Sequence, residues 1–297
     1  MTCGRENSGV IRGVGYSLLS LVTGAVLVWL GWHAGSANPA VPFDRTAVIV
    51  IVLVLTVLPW VWRPVASHRT ARIVRVAGYL SVYALLAALT GLSRFAGSRF
   101  DHFTAFNQAA WEADMRSGAV VGAVLMVLLI GGYAVAVLTL TSQRTAVEPR
   151  TLAVGTGCGV ALALAVYAFM PAGNTSHAFV LAVLAPAALL AAGVLAGRQG
   201  AIAGLCAGGA AALLLATLTI ATMVLFPGQV DLEWANPDPS VPHGTLFELQ
   251  MSVGDAAIRY QAGLLLGPLA GLAVGFLGGW FSRSRPESGR ANAAPAG

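Results

Sequence analysis

Lysine is absent from this chain of 297 residues, and charge of either sign is scarce: 17 arginines and 12 acids amount to 10% of the residues, where a soluble domain carries about 25%. That shortage excludes a water-soluble globule, because 57% of the residues are hydrophobic and too little polar surface is left to face water. Cysteine is equally sparse. Three residues, Cys3, Cys158 and Cys206, cannot staple a small secreted fold, and the high hydrophobicity excludes intrinsic disorder. An integral membrane protein is what remains.

Eight charge-free apolar runs are present, at residues 14–32, 46–62, 76–93, 119–140, 151–171, 178–197, 201–226 and 262–281, together 163 residues without Asp, Glu, Lys, Arg or His. A helix needs about 20 apolar residues to cross about 30 Å of hydrocarbon. The expectation is an all-α polytopic bundle of about eight transmembrane helices with two outer amphipathic segments. Residues 1–281 form its single domain, and residues 282–297, rich in Arg, Ser, Pro, Gly and Ala, read as a disordered cytoplasmic tail.

Arginine alone sets the orientation. With the N-terminus inside, 12 of the 17 arginines fall on the cytoplasmic side and nine of the 12 acids on the other, a net +9 inside and −4 outside. Short Arg-rich loops belong in the cytoplasm, so both termini are expected there and the chain is expected in the plasma membrane. The basic balance reports topology and anionic lipid headgroups rather than nucleic acid. The first run, behind a basic start and ahead of Gly35-Ser36-Ala37, has the alternative reading of a cleaved signal peptide. Its 19 apolar residues exceed the h-region of about 7 to 15.

No ionisable group lies inside any run, and intramembrane charge is what marks proton relays, ion paths and catalytic centres. His33, His68, His102, His177 and His243 are never closer than 34 residues apart, which gives no metal-ligand spacing on a helix. Solvated or interfacial histidines are the expectation. Cys158 and Cys206 read as small packing residues, with a redox pair as the sharper alternative although no CxxC exists. Gly155, Gly157 and Gly159 lack the Lys and Ser/Thr of a phosphate loop. No catalytic, cofactor or metal signature emerges.

What the chain does have is glycine, 35 residues of it. Gly263, Gly267, Gly271, Gly275 and Gly279 form a row at four-residue spacing, a glycine zipper that lets a neighbouring backbone approach closely. Gly200, Gly204, Gly208, Ala212 and Ala216 continue the pattern in the seventh run. Such faces serve internal packing, a second membrane protein or a homodimer. Pro186 and Pro268 should kink their helices.

Residues 94–118 and 227–261 form the two long outer segments. In the first, Phe100, Phe103, Trp111 and Met115 share a helical face, with Asp101, Gln108, Glu112 and Arg116 on another, which predicts an amphipathic helix at the outer interface. The second opens on an acidic, Pro-rich stretch from Asp231. It then places Glu248, Ser252, Asp255 and Arg259 on one narrow polar stripe of an otherwise apolar helix. Asp255 and Arg259 can pair at i, i+4. Either the stripe packs among helices, with Asp101, Glu112 and Arg116 as partners, or it faces water.

These features favour a non-enzymatic membrane component that acts through helix packing and its outer surface, as a sensor, assembly factor or accessory subunit. A permease, or the membrane subunit of an ATPase-energised exporter, is the second reading, and a membrane-embedded enzyme the third.

Overall fold

The computed structural model describes residues 18, 20–27, 29, 41–62, 66–100, 108–169, 174–226 and 246–283, with the backbone alone for 41–44, 60, 62, 92–100, 108–115, 174–180 and 246–259. A chain dissolved in hydrocarbon must satisfy its own peptide groups, so its apolar runs become helices. The helices are α1 (residues 20–27), α2 (Val41–Trp62), α3 (Arg69–Phe100), α4 (Gln108–Leu140), α5 (Pro149–Ala168), α6 (Asn174–Ala196), α7 (Gly200–Leu225) and α8 (Leu246–Arg283). Among the described residues, five stretches are long and apolar enough to cross a membrane, and one of them, Leu181–Leu225, holds most of α6 and all of α7.

The turns follow from local chemistry. Gly197 adopts φ +59°, a left-handed conformation that costs glycine nothing, and the chain folds back there from α6 into α7 through one 3-10 turn. Pro149 starts α5 at its first helical position, where a missing N–H leaves no bond unmade. Successive helices run in opposite directions. Ser67 N–H bonds the Thr141 carbonyl at 3.2 Å where α3 begins and α4 ends, whereas Gly91 of α3 lies beside Val224 near the end of α7.

Packing divides by side-chain size. Ile51, Leu55, Val82, Leu85, Leu86, Ile130 and Leu138 build the main core with Leu213, Ile220 and Leu264 of α7 and α8. Around α5, α6 and α7 the interior is smaller, with Ala192, Ala203 and Ala207 buried against Leu189. The outward faces are apolar instead of charged. Val121, Val124 and Leu128 of α4 and Leu266, Leu269 and Phe276 of α8 are exposed, the arrangement expected when lipid is the solvent.

Three helices extend beyond the apolar runs. No proline interrupts residues 92–115, and each residue added to an existing helix gains a bond, so α3 runs on to Phe100 and α4 starts at Gln108. The first outer segment thus extends two spans instead of forming a separate interfacial helix over its whole length. α8 joins the polar stripe to the last apolar run in one helix of 38 residues, about 57 Å long at 1.5 Å per residue. Arg69, Arg72 and Arg75, which precede the third apolar run, already belong to α3.

Candidate functional site

The closest helix contact is between α7 and α8. Alanine-sized side chains would not fit there: a Cβ on Gly275 would sit 2.5 Å from the Gly200 carbonyl oxygen, and one on Gly279 2.6 Å from that of Gly197. Gly204 and Gly271 face each other more tightly still, as do Gly208 and Gly267. α6 joins the same block, since a Cβ on Gly278 would lie 2.5 Å from the Leu190 oxygen. On the other side of α7, a Cβ on Gly155 of α5 would lie 2.5 Å from the Ala203 oxygen. Gly263 is different. Nothing lies within 4 Å of its Cβ position, so the contact of the α8 row begins at Gly267, because Gly263 falls before the point where α7 and α8 converge.

Three hydrogen bonds link helices away from the α4–α5 turn. The Tyr133 hydroxyl of α4 donates to the Leu264 carbonyl of α8 at 2.9 Å. Pro268 lies four residues beyond Leu264 and has no N–H to donate back, so this carbonyl would otherwise be orphaned in the apolar interior. Gln261 Nε2 of α8 donates to the Gly122 carbonyl of α4 at 3.2 Å. Thr222 Oγ1 bonds its own Leu218 carbonyl at 2.8 Å, which leaves the Tyr167 hydroxyl, 2.6 Å away, as donor to Thr222.

The opposite end is basic and holds a buried polar cluster. Arg75 is 8% exposed, and its Nε donates to Thr141 Oγ1 at 2.9 Å and its NH2 group to the Thr141 carbonyl at 3.2 Å. A cation at a helix C-terminus meets the negative end of the helix dipole and its unbonded carbonyls. Arg75 is therefore the clamp that ends α4. Beside it, His68 Nδ1 accepts the Ala71 N–H at 3.0 Å, which places the ring proton on Nε2 and has it donate to the Val147 carbonyl at 3.2 Å. His68 thus caps α3 and ties it to the α4–α5 turn, rather than standing in solvent. Gln199, in the 3-10 turn just before α7, braces that turn: its Oε1 accepts the Glu148 N–H at 3.0 Å and its Nε2 donates to the Ala146 carbonyl at 3.3 Å. Arg69, Arg72, Arg144, Arg150, Arg198 and Arg283 are exposed at this end, and Glu148 is the described acid among them.

Of the residues singled out from sequence, Glu248, Ser252, Asp255 and Arg259 fall in the first turns of α8, where the backbone alone is described. Glu112 is likewise a backbone position of α4, Arg116 is exposed on α4, and Asp101 lies outside the described residues. Cys158 and Cys206 are free thiols packed in different apolar clusters. No metal-ligand grouping occurs among the described residues. Sequence reasoning missed the Tyr133 and Arg75 contacts. A proline inside a span signals an orphaned carbonyl four residues earlier, and that signal points to Leu264 but not to its donor.

Compared with protein-family models, with curated proteins and with solved structures, the chain matches none of them.

Proposed function

We propose that this chain is a non-enzymatic, multi-pass component of the plasma membrane that serves as an assembly factor, sensor or accessory subunit to another membrane protein. The observation that carries this reading is the closed block of α5, α6, α7 and α8, whose helices meet at backbone distance through glycine. An aromatic face remains exposed on α8, where Phe276 and Trp280 meet edge to face at 6.3 Å beside exposed Phe281. Exposed aromatics are favoured at docking surfaces. Since α7 occupies the glycine row from Gly267 onward, a partner or a second copy meets α8 on this other face. The stripe of Glu248, Ser252, Asp255 and Arg259 is its polar contact on the outer side.

Crosslinking in mild detergent followed by mass spectrometry tests the reading. A stoichiometric membrane partner, or a dimer, crosslinked through α8 is expected. A monomer without crosslinked protein would overturn it.

Eight spans with both termini cytoplasmic are part of the proposal, supported by the exposed arginines gathered at one end of the bundle. In a cysteine-free background, single cysteines at 108 and 238 should be labelled from outside and those at 144 and 288 should not. Labelling at 288 in intact cells would refute the count. The permease reading draws support from Pro268, because helices interrupted at mid-membrane border many transport sites.

A further inference from the structure

We propose that the cleft between α6 and α8 holds one anionic phospholipid, with its phosphate on Arg198 and Arg283 and an acyl chain along the cleft below them. This goes beyond the accessory reading and stands whether or not a protein partner binds.

The cleft follows from how the two helices meet. α6 and α8 touch at backbone distance, Gly193 against Gly275 and Gly278 against the Leu190 carbonyl oxygen, so no side chain fills the line between them. From that line Leu189 and Ala192 turn inward, to the small core with Ala203 and Ala207 of α7. Leu190 and Val194 turn the other way and are exposed, as are Leu277 and Phe281 of α8. These side chains form the walls of an open-sided apolar cleft. Phe276 and Trp280 lie two residues to either side of Gly278, about 200° around the helix from it, and so belong to a different face.

The mouth of the cleft is positive. Gly197, with φ +59°, folds the chain from α6 towards α7, and its carbonyl lies against Gly279, which seats Arg198 beside the end of α8. There Nη2 of Arg283 donates to the Arg198 carbonyl at 2.8 Å. That bond leaves the other guanidinium donors of Arg283 available, and the Arg198 guanidinium bonds none of the described residues. Both arginines are exposed, and among the described residues no acid pairs with either. Two like charges held together without a counter-ion repel. A phosphate between them removes the repulsion and accepts paired N–H bonds from each guanidinium.

Depth fits a lipid as the occupant. Arg283 closes the apolar span Tyr260–Arg283, and Arg198 stands at the turn inside Leu181–Leu225, so both lie where hydrocarbon gives way to headgroups. Basic pockets between membrane helices are recognised sites for phospholipid headgroups. A free phosphate would use the arginines alone, whereas a lipid uses the arginines and the apolar cleft that continues from them.

Native mass spectrometry of the full-length protein in detergent, titrated with phosphatidylglycerol or with phosphatidylcholine of the same chains, tests this. One phosphatidylglycerol is expected to bind at least about tenfold more tightly than phosphatidylcholine, as a charge-assisted contact implies. Arg198→Gln removes no side-chain bond to the described residues and should abolish that preference, whereas Arg72→Gln, equally exposed but on α3, should preserve it. Val194→Trp closes the cleft with both arginines in place and should weaken the same lipid severalfold; Leu190→Trp takes its place should that variant not fold. Equal loss of the preference in Arg72→Gln would reduce the effect to a diffuse basic belt and overturn the site, as would a preference retained in Arg198→Gln. Undiminished binding in the tryptophan variants would overturn the acyl cleft. Inorganic phosphate that raised the melting temperature as much as phosphatidylglycerol does would replace the lipid by a free anion.

Discussion

The Tyr133 hydroxyl stands in for a missing amide at Leu264. An unbroken α8 would bond the Leu264 carbonyl to the N–H of residue 268, but that residue is proline, and the oxygen is met instead by Tyr133 of α4 at 2.9 Å. A kink within one helix is thereby converted into a tie between two.

This substitution predicts a coupled pair. Tyr133→Phe should destabilise the protein by about 1 to 3 kcal/mol, the cost of leaving a buried acceptor unmet. Pro268→Ala restores a donor inside α8, so the double variant should be less harmful than the sum of the single ones. Thermal unfolding in detergent reads the cycle, and strictly additive losses would show that the two residues act separately.

The α7–α8 contact predicts a sharp positional contrast. Gly204→Ala and Gly271→Ala would each drive a Cβ into a carbonyl of the facing helix and should cost more than about 2 kcal/mol or abolish folded yield, as overpacking at a contact without slack does. Gly263→Ala meets open space and should stay within about 0.5 kcal/mol of the parent, or gain slightly from helix propensity. Comparable behaviour of Gly263 and Gly271 variants in the same melting assay would refute the mapped contact.

Arg75 and Arg72 are one helical turn apart with opposite expectations. Arg75→Gln removes charge-assisted bonds to Thr141 worth about 1.5 to 3 kcal/mol. Arg75→Lys should not recover them, because an ammonium cannot present two donors in one plane. Arg72 is exposed, and Arg72→Gln should change stability by less than about 0.5 kcal/mol. Full rescue by lysine would show that charge alone matters at position 75.

The polar stripe of α8 yields the fourth prediction. If Asp255 and Arg259 pair within a packed helix, removing one strands the other at about 3 to 5 kcal/mol, and the double alanine variant is milder than the sum. Near-neutral single variants in a thermal-shift assay would place the stripe in water, where such a pair is worth under about 1 kcal/mol.

Most of the architecture could be read from the sequence, because in hydrocarbon the apolar runs have no alternative to helix. The glycine spacing of the last run was equally visible, since four-residue periodicity places residues on one face whatever the partner. Its limit at Gly263 was hidden, as a crossing point depends on both helices. Arg75 was obscured by its company: three arginines at three-residue intervals look alike in sequence, and only the end of α4 makes the third different. The stripe at Glu248 to Arg259 shows the reverse case, a pattern plain in sequence whose side chains lie outside the described residues.

The proline at 268 also bears on how the chain enters the membrane. Ribosomes deliver α4 well before α8, so the hydroxyl that meets Leu264 is already embedded when the kinked helix arrives. A version of α8 inserted alone would carry an unmet carbonyl into lipid at a cost of several kcal/mol. α8 therefore depends on α4 for a bond that it cannot make itself, and a chain misordered upstream should be recognised by quality control through that unmet carbonyl.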